Sequence, residues 1–371
     1  MRENHHKVVY LLGAGASYGK RRSNRNWHYS EAEGDIIEGL PIIREIPQRL
    51  DFIRNRLKKK MVSVKENESE LCANNIFVNC HLKSVLEQLI TDFAWLINNV
   101  EKVESIDTFA KMLYDENRVE ELNKLKLLES ILFVIEQSEN LPDSRYDDFI
   151  YHSMLDRDYI LDDRMRILNW NYDVQLLISL RKFLPNKKTN NYSQLKWYTN
   201  LLDAKKDAYD GANRPVPQIV MLNGIANFED GIDITKYNSF SDDLLLEILL
   251  RYSHGIKVGF KQPQTSLSFA WDSFETGFGS TKKILHSMVH DAEYVVVVGY
   301  SFPKCNREID RLAFAQMPYL KKVYIQDPNS GAVKESISSL LSSMDGPSSS
   351  VELIEKDSSH FITVKEIMGF V

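Results

Sequence analysis
The sequence predicts an α/β chain: a Rossmann-like, mostly parallel sheet with helices on both faces and a helical insertion. Three observations carry that expectation. Short continuous apolar runs stop abruptly at glycine or polar turns, the pattern of strands buried on both faces of a parallel sheet. Two stretches in the first half instead carry apolar residues at helical spacing. With 371 residues, 43% of them hydrophobic, the chain has material for one large or two ordinary domains with a substantial core.

The first run is Val8, Val9, Tyr10, Leu11 and Leu12, ending at Gly13. Residues 51–163 follow a different rule. Val85, Leu86, Leu89, Ile90, Phe93, Leu96, Ile97 and Val100 form one i, i+3, i+4 stripe, and Leu125, Leu128, Ile131, Leu132 and Ile135 form a second. This stretch reads as the helical insertion, with Lys58, Lys59 and Lys60 through Glu70 as a solvated link. Strand-like runs then resume at 166–170, 219–222, 294–298 and 323–325. Residues 186–218 and the Ser-rich tract 336–350, which contains Gly346 and Pro347, read as surface loops. The expected division is therefore 1–50 with 164–371 as the sheet domain and 51–163 as the insertion.

Composition narrows the function classes. Lys plus Arg number 46 against 52 Asp plus Glu, a formal charge of -6, so nothing global advertises a nucleic-acid or membrane binder. The three cysteines, Cys72, Cys80 and Cys305, form no CxxC pair, which argues against a disulfide framework or a structural zinc site. The polar N-terminus runs straight into a short strand, too short for a signal or membrane segment. A soluble cytoplasmic protein with no metal is the expectation.

Ligands of open parallel sheets bind at the carboxyl ends of the strands, and four turns there draw attention. The first is Gly13, Ala14, Gly15, Ala16 and Ser17. It reads either as a dinucleotide turn, whose small residues let backbone N–H groups reach a pyrophosphate, or as a tight strand-to-helix turn with no ligand. The dehydrogenase spacing GxGxxG fails because Tyr18 holds the sixth position and glycine comes one place late, at Gly19. Lys20, Arg21, Arg22 and Arg25 follow, either attracting phosphate or simply solvated. The second turn is Asn171, Tyr172 and Asp173, where Asp173 serves a site or caps the next helix and Asn171 serves a site or holds a turn. Leu222, Asn223 and Gly224, then Gly299, Tyr300 and Ser301, complete the set. All close strands of one inferred sheet, so their side chains are expected to converge on one crevice.

The order of these turns resembles the sirtuin superfamily, and most of all the sirtuin-like (Sir2-type) NADase family of bacterial antiphage defence proteins. Gly13–Ser17, the Asn171-Tyr172-Asp173 turn, the Leu222-Asn223-Gly224 turn, the Gly299-Tyr300-Ser301 turn and, more weakly, 326–329 carry the likeness, and Leu40 with Pro41 fits the family's proline-bearing loop. The resemblance implies cleavage of the nicotinamide–ribose bond of NAD⁺, which is substrate rather than resident cofactor. It places Asn171 at the reacting water and ribose hydroxyls, with Asp173 either orienting Asn171 or stabilising the developing cation. It gives Gly13, Ala14, Gly15, Ala16, Ser17, Pro41, Gly299, Tyr300, Ser301, Asp327 and Asn329 to nucleotide binding. The missing zinc cysteines set the chain apart from protein deacylases. Asn223 stands where the family carries the histidine of Leu-His-Gly, and an amide is no general base near neutral pH. The only His-Gly pair is His254 and Gly255, which no apolar strand precedes, so His254 reads as a loop histidine rather than as a replacement for the missing one. The resemblance further implies a homo-oligomer and a partner such as an FtsK/HerA-type ATPase, since this chain has no GxxxxGK[ST] motif. The second function class is an NAD⁺- or ADP-ribose-binding regulatory or scaffold subunit of weak activity. A nucleic-acid binder has only scattered basic runs behind it.

Overall fold
The computed structural model describes residues 7–19, 38–71, 76–155, 160–183, 197–198, 218–269, 271–272, 274–344 and 351–369. The described strands are β1 (Lys7–Leu12), β2 (Met154–Leu155), β3 (Ile160–Leu161), β4 (Met165–Asn169), β5 (Trp197–Tyr198), β6 (Ile219–Met221), β7 (Gly224–Phe228), β8 (Thr265–Leu267), β9 (Ala292–Val298), β10 (Lys322–Gln326) and β11 (Glu352–Glu355). Seven of them make one sheet in the order β11-β10-β9-β1-β4-β6-β5, and every pairing in it is parallel. The fold is thus a Rossmann-like α/β fold. The chain first builds outward from β1 through β4 and β6, then returns to β9 on the other side of β1. The strand order reverses there, between β1 and β9, the topological position at which such sheets take ligands.

The pleat explains why the strands read as unbroken apolar runs. Val9 and Leu11 of β1 join Val295, Val297, Val323 and Ile325 in one core. Val8, Tyr10 and Leu12 join Ile167, Met221, Val296 and Val298 in another. Successive side chains leave opposite faces of the sheet, and both faces are covered, so neither parity can be polar. Helices Phe274–Val289, Arg307–Phe314 and Ser330–Ser342 supply the first core. The second is closed by α5 (Ser144–Ser153), α6 (Gln175–Phe183) and the short helix Val364–Met368.

The chain divides into two compact units. The sheet unit comprises Met1–Leu40, Leu141–Ile225 and Ser268–Val371, and the helical unit comprises Pro41–Asn140 and Ala226–Leu267. These limits differ from the expected 51–163 insertion in three ways, the first being that the amino-side limit lies earlier, at Pro41. The carboxyl-side limit moves back because α5 lays Tyr146, Phe149 and Ile150 into a sheet core. A second segment also joins the helical unit, where helix Asp242–Lys257 packs on helices Ile76–Val100 and Val119–Glu139. In that unit α1 (Ile46–Leu71) packs on α2 (Ile76–Val100), and α3 (Ile106–Asp115) packs on α4 (Val119–Glu139). Both predicted apolar stripes are buried, on α2 and α4. Burial of α4 continues round its circumference and takes in Asn123, Lys126, Glu129, Ser130 and Glu136, as befits a central helix.

Three local expectations are corrected. The stretch from Lys58 to Glu70 is not a link but part of α1, since its lysines, glutamates and serines include no glycine or proline to stop a helix. The first part of the Ser-rich tract is helical through Ser342, because Val333, Ile337, Leu340 and Leu341 form a stripe that packs on the sheet. Within 186–218, Trp197–Tyr198 pairs with β6 as an edge strand. Gly346 and Pro347, Cys72 and most of 186–218 lie outside the described residues. Among the described residues no helix is long and apolar enough to cross a membrane.

Candidate active site
Strand register sets the site. Leu12, the last residue of β1, is level with Asn169 on one side and Val298 on the other. The turns beginning at Gly13, Trp170 and Gly299 therefore leave the sheet side by side. The Trp170 N–H donates to Leu12 O at 2.8 Å, and the Gly13 N–H to Val298 O at 3.0 Å.

The glycines of the first turn are explained by close backbone packing. A Cβ on Gly13 would sit 2.6 Å from Gly299 O, and one on Gly299, whose φ is +57°, would sit 2.4 Å from the Gly15 backbone. No side chain fits between these loops. The same contacts correct the backbone cradle expected for a pyrophosphate. The Gly15 N–H donates to Gly299 O at 3.0 Å and the Ala16 N–H to Gly13 O at 2.8 Å, so with Gly13 three of the turn's donors already have protein acceptors. Ala14 opens a 3-10 turn that runs to Ser17. Arg145 fastens this turn from the carbonyl side, donating to Gly15 O at 3.0 Å and to Ser358 O at 2.9 Å. Lys20, Arg21, Arg22 and Arg25 lie outside the described residues.

Ser17 is where the turns meet. It is buried, and its hydroxyl lies 3.1 Å from the Tyr146 hydroxyl. Asn171 Nδ2 donates to Ser17 Oγ at 3.0 Å and lies 3.5 Å from the Tyr146 oxygen. The Ser17 hydroxyl also hydrogen-bonds the Asp173 carboxylate. Asn171 is itself braced, its N–H donating to Asn169 Oδ1 at 3.0 Å. Its Oδ1 is buried without a hydrogen-bond partner, an arrangement that costs about 1–3 kcal/mol unless something else supplies a donor.

Asp173 takes its expected place at the head of the next helix. Its Oδ1 accepts the Gln175 N–H at 2.9 Å at the start of α6, and its carboxyl is part of the Ser17 cluster. Burial pushes this carboxyl up to about 6, against the hydrogen bonds from Gln175 and Ser17 and with a further push from Asp143. Asp143 is fully buried; it accepts the Gly19 N–H at 2.8 Å and pairs with Arg145 at 2.5 Å. Tyr146 is also fully buried, and its phenol is held well above the usual range, first by burial and then by Asp173. Tyr146, Asp143, Arg145 and Gln175 escaped the sequence reading. The first three fall inside the stretch assigned to the insertion, and Tyr146 reaches Ser17 across 129 positions. The aspartate that caps α5, whose Oδ1 accepts the Arg145 N–H at 3.0 Å, is the one signal that marks the segment.

The remaining predicted residues sit around this cluster or apart from it. Asn223 is buried, donates from Nδ2 to Trp170 O at 3.0 Å and accepts the Ser268 N–H on its own carbonyl at 3.0 Å. It thus ties the turn after β6 to the turn after β4. Tyr300 is corrected from a nucleotide contact to a core residue. Its ring stacks on Trp170 at 5.5 Å and its hydroxyl donates to the buried Asp310 at 2.9 Å. Ser301 is exposed beside it. Asp327 and Asn329 lie at the end of β10, two strands from β1, where Asp327 Oδ1 accepts the Asn329 N–H at 2.7 Å. Pro41 is buried at the start of the helical unit. His254 is corrected from a loop to the last turn of helix Asp242–Lys257, where it is exposed, because Gly255 packs inside that helix and does not end it.

The sheet unit therefore brings together Ser17, Asn171 and Asp173 from two of the predicted turns, with Tyr146 added by the fold. Comparison of the chain with protein-family models, with curated proteins and with solved structures finds no match.

Proposed function
We propose that the protein is an NAD⁺ glycohydrolase that cleaves the nicotinamide–ribose bond and depletes NAD⁺ in antiphage defence. The observation that carries this reading is the buried Asn171 amide, whose oxygen has no partner while its nitrogen is held by Ser17 beside Asp173. An oriented carbonyl of this kind suits a ribose hydroxyl or the attacking water. In the reaction, the C1′–N1 bonding pair leaves with nicotinamide, which departs neutral and needs no acid, and the ribose becomes oxocarbenium-like. Water then bonds through its oxygen to C1′ and gives up one proton. Above pH 6 Asp173 is a carboxylate, able to stabilise the cation and to take that proton by way of Ser17. Binding of the adenosine end falls to Ser301, Asp327 and Asn329 on this reading. Work in the cytoplasm, self-association and a partner such as an FtsK/HerA-type ATPase belong to the same proposal.

Nicotinamide release from NAD⁺ tests it. The purified chain, alone and with any co-purifying partner, is expected to release nicotinamide, and Asn171→Ala to slow release by a factor of about 100, the usual scale for a positioned catalytic group. Absence of release in every preparation overturns the proposal. Asn223 favours a second reading, a catalytically weak subunit that binds NAD⁺ or ADP-ribose in a defence complex, because its amide is committed to Trp170 O. Tight NAD⁺ binding without turnover, together with turnover gained by Asn223→His, selects that reading.

A further inference from the structure
Helix Phe274–Val289 runs out in a His-x-x-x-His spacing, His286 and His290, which sets the two rings one above the other on a single helical face. We propose that this pair is a binding site for one divalent late transition-metal ion, such as zinc, nickel or copper, held as a two-histidine chelate. It lies where β1 and β9 begin, at the opposite end of those strands from the Ser17 cluster, and does not depend on the glycohydrolase reading.

The surroundings of His290 decide which of its nitrogens is available. Its Nδ1 lies 3.0 Å from the His286 carbonyl oxygen and 3.0 Å from Asp291 Oδ1. A carbonyl and a carboxylate can only accept, so Nδ1 carries the proton. Neutral His290 therefore has its lone pair on Nε2, and among the described residues neither that nitrogen nor the His286 ring has a hydrogen-bond partner. A metal-binding histidine characteristically gives its other N–H to a carbonyl or carboxylate, which fixes the tautomer and makes the ligating nitrogen more basic. Asp291 fills that place: its Oδ1 is buried with no other partner, and its Oδ2 pairs with the Lys7 ammonium.

The rings are also spaced for a shared ion. Their centroids are 4.8 Å apart and their planes 25° from parallel. With metal–nitrogen bonds of about 2.0–2.1 Å each centroid lies about 3.2 Å from the ion, and nitrogen–metal–nitrogen angles of about 90–110° then separate the centroids by about 4.5–5.2 Å. The field favours a cation as well, because the last turn is the negative end of the helix and Asp291 follows directly. The opposing charges are Lys7, already paired with Asp291, the exposed Lys282 and Lys283 one turn back, and Arg166 of β4, which acts on Asp291. Imidazole selects zinc, nickel or copper, whereas magnesium and calcium take oxygen ligands. Among the described residues no group of three or more His, Cys, Asp and Glu is placed to hold a metal, so water completes the coordination and the ion exchanges freely. The expectation of no metal rested on the cysteines, and this site uses none.

Calorimetric titration of the full chain, first dialysed against a chelator, tests the site with zinc, copper and magnesium chlorides as probes. Wild type is expected to bind zinc saturably, copper more tightly than zinc, and magnesium not at all. His286→Gln and His290→Gln are each expected to abolish that zinc binding, and Asp291→Asn to weaken it by a factor of about 10–100. Zinc affinity and stoichiometry unchanged in the double histidine variant overturn the proposal, as does magnesium binding as tightly as zinc. Both histidines are solvent-accessible, and matching circular dichroism checks that the variants keep the fold. A second readout comes from proton–nitrogen correlation spectra of the imidazole rings. Neutral His290 is expected to carry its proton on Nδ1 before metal is added, and the His286 and His290 rings to shift together as zinc is titrated. A proton on Nε2 of neutral His290, or shifts that spare either ring, overturns the proposal.

Discussion
Two buried carboxyl groups, one in each unit, show how differently this chain treats an ionisable side chain. Asp173, in the sheet unit, is surrounded by donors: the Gln175 N–H, the Ser17 hydroxyl and its own backbone N–H. Glu129, on α4 in the helical unit, is fully buried and neither carboxylate oxygen has a hydrogen-bond partner. Burial raises both, but the donors hold Asp173 to about 6, whereas Glu129 is pushed well above the usual range, with Asp107 adding to the push and Lys126 opposing it. The lesson is that burial alone makes a carboxyl inert by keeping its proton on. Burial with donors leaves it poised to titrate near neutral pH, which is what acid–base chemistry requires.

A third carboxylate sharpens the contrast with the largest expected effect. Glu136, also on α4, is buried, but it accepts from Arg49 Nε at 2.8 Å in a buried ion pair. Arg49→Ala takes the counter-charge from Glu136, which still accepts from Asn140 Nδ2 at 3.1 Å, and is expected to destabilise the fold by about 3–5 kcal/mol in urea unfolding at pH 7. Replacing both partners with Met and Leu is expected to recover most of that loss, since no buried charge is then left alone.

Glu129→Met comes next and has the opposite sign. A carboxyl raised in the fold contributes stability that is complete below its unfolded value of about 4.5 and is lost as pH rises through the folded value. Removing Glu129 is therefore expected to stabilise the protein by an amount that grows with pH and is still growing past pH 6. Urea midpoints measured from pH 4 to pH 8 check it; a gain independent of pH would break the comparison. Asp173→Asn is expected to follow the same rule in a narrower window, between the unfolded 3.8 and about 6. Its gain levels off above pH 6 at no more than about 3 kcal/mol, at ~1.4 kcal/mol for each tenfold change in proton affinity, while nicotinamide release falls. Stability without activity is the signature of a carboxyl kept for chemistry.

The smallest effect is a control. Ser105 caps α3, its Oγ accepting the Thr108 N–H at 3.1 Å. Ser105→Ala is expected to cost about 1 kcal/mol at every pH, because no titrating group loses a partner. A pH-dependent loss there would mean that Asp107, two residues along, is coupled to the cap.

Much of this architecture was legible before folding was considered. The unbroken apolar runs named the central strands β1, β4, β6, β9 and β10, and the stripe from Val85 to Val100 named α2, because a parallel sheet and a packed helix impose different periods. The site was legible in part. Asn171, Asp173 and Ser17 could be picked out as polar residues at strand ends, and the sheet does bring them into one cluster. Tyr146 could not, because a tyrosine on an amphipathic ten-residue helix looks like any core aromatic. Tyr300 misled in the reverse direction, since its place in a strand-end turn does not reveal that its ring turns back to stack on Trp170.

What the sequence determined by itself was periodicity, and with it the class of the fold and the ends of the strands where polar groups collect. Only the tertiary structure decided which of those groups meet, which glycines serve packing, and which carboxyls receive donors. The physical reason is one of range. Periodicity is set by neighbours a few residues away, whereas the proton state of Asp173 depends first on its burial, and Asn171 is held by Ser17 with the Tyr146 hydroxyl of α5 beside it. Those groups are brought together only when β1, β4 and the helices beside them close on one another.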